Sequence, residues 1–222
     1  MVSTNLRTPR ISVPTKTPSP FSGAEKHLTR ACPKLKFIIE RAGPFTLEPD
    51  PNAFRILSAS IVSQQISTKA AESISKRVRA ACGRGGIRPK RLMELGDDEL
   101  RAAGLSRSKV IYMRSLSQFF LDNAGLIRRF KDMPDEDVIE ALLPIRGVGE
   151  WTAQMFLIFC LGRADVLPTA DFGFKAGVRD IYGLDDLPKP KDLEERAEPW
   201  RPFRTVATWY FWRSRGFATQ SK

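Results

Sequence analysis

Acid–base chemistry in this chain would fall to carboxylates, because histidine is nearly absent. The sequence holds one histidine, His27, which lies far from the glycine-rich and aspartate motifs. One aspartate, Asp171, opens the helical segment FGFKAGVRDIYG directly after LPTA. Aspartate is a favoured residue at a helix N-terminus, so capping alone would account for it.

A second motif is the string LPIRGVGEWTA, residues 143–153, in which two glycines stand one residue apart. Glycine tolerates positive φ and has no Cβ, so the turn can be tight and its N–H groups stand clear of side chains. Those N–H groups begin the next helix, where they lack intrahelical partners and share the positive end of the helix dipole. A phosphate is the natural ligand for such a place. The alternative is a plain connection between two helices, which is the better interpretation of an isolated G-x-G.

The cysteines argue against a metalloprotein. Cys32, Cys82 and Cys160 are scattered, odd in number and free of any CxxC pair. They form no close cluster that could hold zinc or an iron–sulfur group, and they indicate a reducing compartment. We therefore expect neither a structural metal of that kind nor an iron–sulfur cofactor.

The charge favours an anionic partner. The chain has 222 residues, a formal net charge of +11 and a pI near 9.9. Nucleic acid or an acidic membrane surface would match that excess, and so would a basic protein with a solvated surface. No apolar run is long enough to span a bilayer and no hydrophobic signal segment begins the sequence, so we expect a soluble intracellular protein.

Helices are the elements that must position these motifs, since no convincing alternating strand is present. An apolar fraction of 42% is enough for one compact core or two small lobes. Residues 1–20 hold four prolines, several hydroxyl residues and no acid, which predicts a disordered basic tail. From residue 21 onward we expect about ten or eleven helices and an all-α protein.

Caps and stops divide this helical region. Ser67 and Ser106 are the expected N-caps of TKAAESISKRVRAAC and RSKVIYMRSLSQFFLDNA, each ending at a glycine. Pro89 and Pro134 mark the starts of two further helices. The helix after Ser106 is expected to face the core with one set of apolar residues: Ile111, Leu116, Phe119 and Phe120.

Two other helices carry most of the large apolar side chains. Residues 151–161 are apolar nearly all round and predict a buried helix. Residues 200–215, WRPFRTVATWYFWRSR, predict a tryptophan-rich helix among arginines. Helical spacing gives that helix a core face: Trp200, Phe203, Val206 and Tyr210.

These strings together resemble a known family. LPIRGVGEWTAQMF followed by DVLPTADFGFKAGV is similar to the hairpin, the Gly/Pro-rich loop and the aspartate of the helix–hairpin–helix (HhH-GPD) DNA glycosylase superfamily. Within it, the 3-methyladenine DNA glycosylase II group, which removes alkylated bases, matches best. ASIVSQQISTKAA and EPWRPFRTVATWYFWRSRG resemble two more segments of that group, so the likeness runs over residues 50–217 in the right order.

The resemblance implies a fold and a domain organisation. It implies a two-lobed helical glycosylase domain over residues 21–222, with the active-site cleft between the lobes and a helix–hairpin–helix over residues 135–161. The larger bacterial enzyme of the group has an extra mixed α/β domain at its N-terminus. The residues that precede the shared region at position 50 are too few for that domain, and residues 21–48 are expected to add one or two helices to the main body.

The resemblance also implies the chemistry. The family's catalytic carboxylate falls on Asp171, whose charge would stabilise the positive sugar as the base departs and could orient or deprotonate water. Asp165 more naturally serves its loop and Asp180 a helix surface. Relatives with lyase activity carry a lysine nucleophile where this chain has Trp151, which implies a monofunctional hydrolase that leaves an abasic site.

Two further sets of residues take roles from the resemblance. Trp151 and Trp212 match the walls of the family's base pocket, where a cationic alkylpurine gains cation–π attraction of about 0.5–2 kcal/mol. Gln64 and Gln65 precede the Ser67 cap, and Gln65 falls where relatives place a wedge, often leucine, in the gap left by the flipped base. Glutamine departs from that pattern, and an ordinary polar helix end is the alternative.

Phosphate contacts complete the expected site. The hairpin residues that would face the DNA backbone are Arg146, Gly147, Val148 and Gly149. Arg107 and Lys109 are further candidates, with a solvated surface as the alternative for each. In some relatives carbonyls matching Leu143, Ile145 and Val148 hold a monovalent cation, Na⁺ or K⁺, against phosphate. Arg204 is at a family-typical position, where we expect a structural ion pair.

Three hypotheses about function remain open at this point. The first is excision of alkylated purines such as 3-methyladenine and 7-methylguanine from double-stranded DNA by a monomer. The second is the same fold acting on hypoxanthine, ethenoadenine or uracil, because pocket shape rather than motif selects the base. The third is a non-catalytic helix–hairpin–helix DNA-binding module. For all three the expected location is the cytoplasm or nucleoid, or the nucleus in a eukaryote, with no membrane partner.

Overall fold

The computed structural model of the protein describes residues 19–217. Within that range the chain forms thirteen α-helices, two short 3-10 turns and no β-strand, which confirms the all-α prediction. The helices are α1 (Ala24–Ala31), α2 (Pro33–Ala42), α3 (Ala53–Ser63), α4 (Thr68–Cys82), α5 (Pro89–Glu94), α6 (Asp97–Ala102), α7 (Arg107–Asp122), α8 (Ala124–Arg129), α9 (Asp135–Leu142), α10 (Glu150–Phe159), α11 (Phe172–Tyr182), α12 (Pro190–Ala197) and α13 (Arg204–Ser214). Residues 1–18 of the predicted disordered tail lie outside the described residues.

The cap predictions are confirmed by hydrogen bonds. Ser67 Oγ accepts from Ala70 N at 3.3 Å, and Ser106 Oγ accepts from Lys109 N at 3.2 Å. Pro89 is the first residue of α5. Each bond satisfies one of the backbone donors that a helix start leaves without a partner, so α4 and α7 begin at fixed residues.

Expectations about one helix end, one core-face residue and the number of helices are wrong. The helix after Ser106 ends at Asp122 and is capped by Asn123 rather than by a glycine: Asn123 Nδ2 donates to Phe119 O, and α8 starts at the next residue. In the predicted α7 core face only Ile111 is wrong, with 46% of its surface exposed; Leu116 is buried, and Phe119 and Phe120 pack against the core. The estimate of about ten or eleven helices missed short ones such as α6 and α8, which span too few residues for a periodic pattern.

The tryptophan-rich helix starts later than expected. Trp200 belongs to a 3-10 turn over Glu198–Trp200, and α13 begins only at Arg204. Arg201 is extended, with ψ 141°, as the residue before a proline tends to be. Trp200 and Tyr210 are nevertheless fully buried, whereas Phe203 is half-buried, so most of the predicted core face is confirmed.

Two hydrophobic clusters divide the molecule into two lobes, as expected. The first lobe consists of α3 to α10 with the turn between α9 and α10. The second joins α1 and α2 to α11, α12 and α13, so the residues before position 50 supply two helices to it. Trp212 packs against both clusters and therefore stands at the boundary between the lobes.

An ion pair fixes the loop that leads from the first lobe to the second. Asp165 accepts from Arg204 Nε at 2.6 Å and from Arg201 Nη1 at 2.7 Å. The Arg204 side chain is only 17% exposed, which confirms a structural role for it and a loop role for Asp165. Asp180 pairs with Arg179 on the exposed surface of α11, also as expected.

No helix within the described residues is long and apolar enough to cross a membrane.

Candidate active site

Asp171 is held by three hydrogen bonds from three different elements. Its Oδ1 accepts from Phe174 N at 2.6 Å, which makes it the N-cap of α11. Oδ1 also accepts from Trp212 Nε1 at 2.7 Å, and Oδ2 accepts from Trp151 Nε1 at 2.9 Å. The two indoles, one from each side of the lobe boundary, therefore clamp the carboxylate in one orientation.

Two glycines on α11 make this clamp possible. A Cβ on Gly173 would lie 3.2 Å from both Asp171 Oδ1 and Trp212 Cδ1. A Cβ on Gly177, one turn later, would lie 2.4 Å from the backbone oxygen of Phe211. The bare backbone at both positions lets α13 approach α11 closely enough for Trp212 to reach the carboxylate.

A cavity of about 810 Å³, here called the inner cavity, opens beside Asp171 between the two lobes. Its α10 wall is a stripe of Trp151, Met155 and Phe159, which share one face at i, i+4 and i+8. The Trp212 ring stacks on Phe159 with centroids 5.6 Å apart and planes 14° from parallel. The cavity thus offers aromatic walls next to a carboxylate.

A second cavity of about 710 Å³, the outer cavity, adjoins the first. Both are lined by Asp171, Trp151 and two exposed apolar side chains, Ile66 and Phe172. The outer cavity also contacts Gln65 and Gly149, which belong to the α3–α4 loop and to the glycine turn. Asp171 therefore lies where a ligand passing from the turn into the inner cavity would meet it.

The two predicted wedge residues, Gln64 and Gln65, both lie in the α3–α4 loop but differ in their contacts. Gln64 Nε2 donates to Gly147 O at 2.8 Å and to Thr152 Oγ1 at 3.1 Å, so this side chain joins the loop to the glycine turn. Gln65 is exposed and has a φ of 58°, a left-handed conformation that non-glycine residues seldom adopt. The strained residue projects from the loop, whereas its neighbour is anchored.

Lys109 differs from its expected role. Its Nζ donates to Val62 O at 2.6 Å and to Gln64 O at 2.9 Å, at the end of α3. Burial lowers the pKa of its ammonium group below the usual value, because the charged form loses hydration. Lys109 therefore stabilises the start of the α3–α4 loop through two backbone carbonyls, whereas the Arg107 side chain is exposed to solvent.

The predicted helix–hairpin–helix is present as α9, a turn over residues 143–149, and α10. The two glycines of the turn have different reasons to be glycine. Gly147 has φ 84°, and a Cβ there would lie 2.2 Å from the Tyr112 ring. Gly149 has φ −105° and open space where a Cβ would stand, so the fold does not require glycine there.

The N-terminus of α10 is open to a ligand. Gly149 is its N-cap and supplies no side-chain hydrogen bond, so the first N–H groups of the helix have no cap. Arg146 is exposed beside it, and its backbone N–H donates to Ser115 Oγ at 3.0 Å. This end of α10 combines bare N–H groups, the positive end of the helix dipole and an exposed cation.

The comparisons with known proteins identify the family. Residues 58–202 match the family model described as "HhH-GPD superfamily base excision DNA repair protein". The chain belongs to the HhH-GPD superfamily. Among curated HhH-GPD relatives, "Alkylbase DNA glycosidase-like protein mag2" of Schizosaccharomyces pombe is 31% identical over 87% of this chain and 93% of its own length. "DNA-3-methyladenine glycosylase 1" of the same organism is 30% identical over 90% of each chain.

Solved structures agree with this membership. The S. pombe 3-methyladenine DNA glycosylase Mag1, determined in complex with abasic DNA, superposes with a TM-score of 0.81 at 29% identity. The superposition covers 90% of this chain and 100% of that one. An 8-oxoguanine glycosylase/lyase of Clostridium acetobutylicum shares the HhH-GPD fold with a TM-score of 0.74 at 15% identity.

Sequence reasoning missed part of this HhH-GPD site. Met155 and Phe159 line the inner cavity, and their spacing from Trp151 at i+4 and i+8 was a usable signal. Tyr112, which fits against Gly147, gave no such signal, because the two residues meet only through the packing of α7 against the turn. Phe172 stands next to Asp171 and is 62% exposed, a burial state that sequence alone does not reveal.

The different constraints on the two hairpin glycines give a testable prediction. Gly147→Ala should lower the melting temperature by about 10 °C, because the new Cβ overlaps the Tyr112 ring at a left-handed φ. Gly149→Ala should melt within a few degrees of the wild type but bind duplex DNA about tenfold more weakly, because a methyl group would shield the α10 N-terminus. Thermal melting and fluorescence anisotropy with an undamaged duplex measure the two effects. Equal DNA affinity for Gly149→Ala and wild type would exclude this turn as a phosphate site.

Proposed function

We propose that this chain is a monofunctional DNA N-glycosylase that excises alkylated purines and leaves an abasic site. The observation that carries the proposal is the clamped carboxylate: Asp171 is oriented by Trp151 and Trp212 on the wall common to both cavities. A DNA-binding module without chemistry would need neither an oriented carboxylate nor a cavity with aromatic walls beside it. The names of the relatives, which specify 3-methyladenine or alkylated bases, support the same substrate class.

The proposed reaction breaks one bond and forms another at the sugar. The C1′–N9 bond breaks with its electron pair going to the purine, which neutralises the positive ring of an N3- or N7-alkylated base. Positive charge develops on the sugar, and the Asp171 carboxylate stabilises it electrostatically. Water then adds its oxygen to C1′ and passes its proton to Asp171. No general acid is required, because the leaving base is already cationic.

The cavity walls suit a cationic base. Trp212 presents an indole face backed by Phe159, and Trp151 forms the adjoining wall. A cation over an indole face gains about 0.5–2 kcal/mol, an advantage that a neutral base of similar shape does not have. The clamp serves binding and chemistry together, because the same two rings that face the base also orient the carboxylate.

Trp151 supports hydrolysis without a lyase step. A lyase needs an amine that attacks C1′ to form a Schiff base, and an indole nitrogen cannot do so. Of the residues that line the two cavities, the one lysine is Lys76, which lies on α4 at the end of the inner cavity away from Asp171. The product expected from this geometry is an intact strand with an abasic site.

DNA contacts would come from the turn and the α3–α4 loop. The uncapped N-terminus of α10, with Gly149 and Arg146, would seat a backbone phosphate. Gln65 would enter the gap left by the flipped nucleotide, since it is exposed while Gln64 is anchored to Gly147 and Thr152. We infer that the protein is a monomer and that it acts on duplex DNA in the compartment that contains the DNA of the cell.

The turn also fits the monovalent cation implied by the family. Among the described residues, no protein group donates to the carbonyl oxygens of Leu143 and Val148, while Ile145 O accepts from Val148 N at 2.9 Å. Those oxygens could hold Na⁺ or K⁺, which would add positive charge beside the phosphate site. The uncapped N–H groups of α10 act at that site independently of the ion.

A panel of lesions tests the proposal. Duplexes carrying one 3-methyladenine, 7-methylguanine, ethenoadenine, hypoxanthine or uracil would be incubated with excess enzyme and scored for strand breaks with and without alkali. We expect breaks only after alkali, and fastest for the two methylated purines. Fastest release of hypoxanthine, ethenoadenine or uracil would contradict alkylated purines as the preferred substrates and would assign that lesion instead. Breaks without alkali, or borohydride trapping of enzyme on DNA, would contradict monofunctional chemistry.

A further inference from the structure

The inner cavity extends well beyond Asp171. Its α4 wall runs from Thr68 to Arg79, about 16 Å of helix at 1.5 Å per residue. Asp171 is at the Thr68 end, because it also lines the outer cavity together with Ser67, the N-cap of α4. A methylated purine placed beside Asp171 would leave the Arg79 end of the cavity unfilled.

Two cations without partners mark that far end, here called the basic end. Lys76 and Arg79 are exposed, stand at i and i+3 on α4, and both line the cavity. Among the described residues, neither the Lys76 nor the Arg79 side chain forms an ion pair, a hydrogen bond or a cation–π contact. Helical side chains lean toward the N-terminus of their helix, so both lean back toward Asp171.

The other charged groups of the cavity are differently placed. Arg55 pairs with Asp50, and Arg215 lies 5.6 Å from the centroid of the Phe172 ring. Glu72 lines the cavity one turn before Lys76 and forms no salt bridge with it. Lys76 and Arg79 are therefore the two cavity-lining cations whose side chains have neither an ion pair nor a ring contact among the described residues.

On its α3 and α10 sides, the path from Asp171 to the basic end is lined by apolar or small side chains, while Glu72 lies on the α4 side. Met155 lies halfway along the α10 stripe, and Ile56 and Ala59 lie on α3 between Ser63 and Arg55. Ala59 is exposed and lines the cavity, so the side chain that α3 contributes at this point of the path is a single methyl group. Such a path suits a hydrocarbon chain that ends in an anion.

We propose that the basic end receives an anionic substituent carried by the damaged base itself. The substrate class would then extend from methylated purines to N3- or N7-carboxyalkyl purines. The inference rests on the proposed glycosylase function. The residues proposed to contact the duplex, Gln65 and Gly149, line the outer cavity together with Ser67, at the Thr68 end of α4 and not at its Arg79 end.

The chemistry at the sugar is unchanged for such a lesion. Alkylation at N3 or N7 makes the ring cationic whatever group ends the substituent. The C1′–N9 electron pair neutralises the ring, water bonds to C1′, and the proton of that water passes to Asp171. The carboxylate of the tail stays ionised throughout and pairs with Lys76 and Arg79.

An isosteric pair of lesions tests the charge. Duplexes would carry N7-methyl-, N7-(3-carboxypropyl)- or N7-(3-carbamoylpropyl)guanine, the last two differing only in charge. The wild type should release the carboxylate lesion with a kcat/KM about fivefold above that of its amide, the scale of a solvent-exposed ion pair. In Lys76→Met/Arg79→Met the ratio should fall to about one. Lys69→Met, which removes an exposed cation of α4 that lines neither cavity, should keep the fivefold ratio.

A second variant tests the path. Ala59→Leu would fill the cavity between Asp171 and the basic end, so both tailed lesions should slow at least tenfold relative to N7-methylguanine. A carboxylate-to-amide ratio of one in the wild type, or a ratio that survives loss of both cations, would overturn the inference. Failure to release N7-methylguanine at all would instead overturn the proposed function, which keeps the two failures distinct.

Discussion

Asp171→Asn should reduce base release from an alkylated duplex by about 10³-fold while leaving the fold and DNA affinity nearly intact. Asparagine caps helices as well as aspartate does, and its Oδ1 can still accept from Phe174 N and Trp212 Nε1. Its amide nitrogen would face the Trp151 N–H, leaving one donor unmatched at a cost of about 1 kcal/mol. The charge beside the sugar is lost, and with it the stabilisation of the developing cation.

Asp165→Asn provides the matched control. It also removes one carboxylate charge, but from a group that pairs with Arg204 instead of facing the cavities. We expect it to lower the free energy of unfolding by about 1–3 kcal/mol, because the mostly buried guanidinium loses its charged partner. Base release per folded molecule should match the wild type. Equal losses of activity in the two aspartate variants would mean that Asp171 matters through stability alone.

Trp151→Phe should lower kcat for base release by about 10²-fold without weakening DNA binding. Phenylalanine keeps an aromatic wall but cannot donate to Asp171 Oδ2, which accepts its one hydrogen bond from Trp151. The carboxylate would then turn about its own side chain, and a misplacement near 1 Å costs about that factor. Trp212→Phe should have a smaller effect, because Oδ1 keeps the bond from Phe174 N.

Trp209→Phe is the control for both tryptophan variants. Trp209 lies on α13 with Trp212, but its ring packs against Phe45 and Tyr210 in the second lobe, away from Asp171. Single-turnover rates with saturating enzyme report kcat, and anisotropy reports affinity. A rate for Trp151→Phe equal to that of Trp209→Phe would show that the clamp does not position the carboxylate.

The sequence predicted the features that depend on neighbouring residues. Capping at Ser67, Ser106 and Asp171 follows from the side chain and the backbone within three residues of it, and all three caps are present. The glycine turn between α9 and α10 follows from the same local physics. The roles of Asp171, Trp151 and Trp212 in catalysis remain predictions that rest on family resemblance.

Features that depend on distant packing were out of reach. Trp151 and Trp212 meet Asp171 from 20 and 41 residues away, and Gln64 meets Gly147 and Thr152 from 83 and 88 residues away. Such contacts arise only when distant helices pack together, within the first lobe for Gln64 and across the lobe boundary for Trp151 and Asp171. Gln64 is anchored and Gln65 is exposed, and the wedge role stays a prediction.

The late start of α13 has a more local cause. Pro202 forces Arg201 into an extended conformation, so the helix cannot begin at Trp200. Trp200 is buried all the same, because a 3-10 turn carries it into the second cluster. The apolar pattern thus predicted burial correctly where it misplaced the helix limit.

The most direct test of the central claim is a measurement of free base released from duplex DNA that contains N7-methylguanine. Wild-type protein and Asp171→Asn would be compared under single-turnover conditions, with the free base separated by chromatography and the strand examined before and after alkali. We expect free N7-methylguanine and an alkali-labile but unbroken strand with the wild type, and a rate about 10³-fold lower with Asp171→Asn at equal DNA occupancy. Release by Asp171→Asn at the wild-type rate would contradict the assignment of the chemistry to the clamped carboxylate.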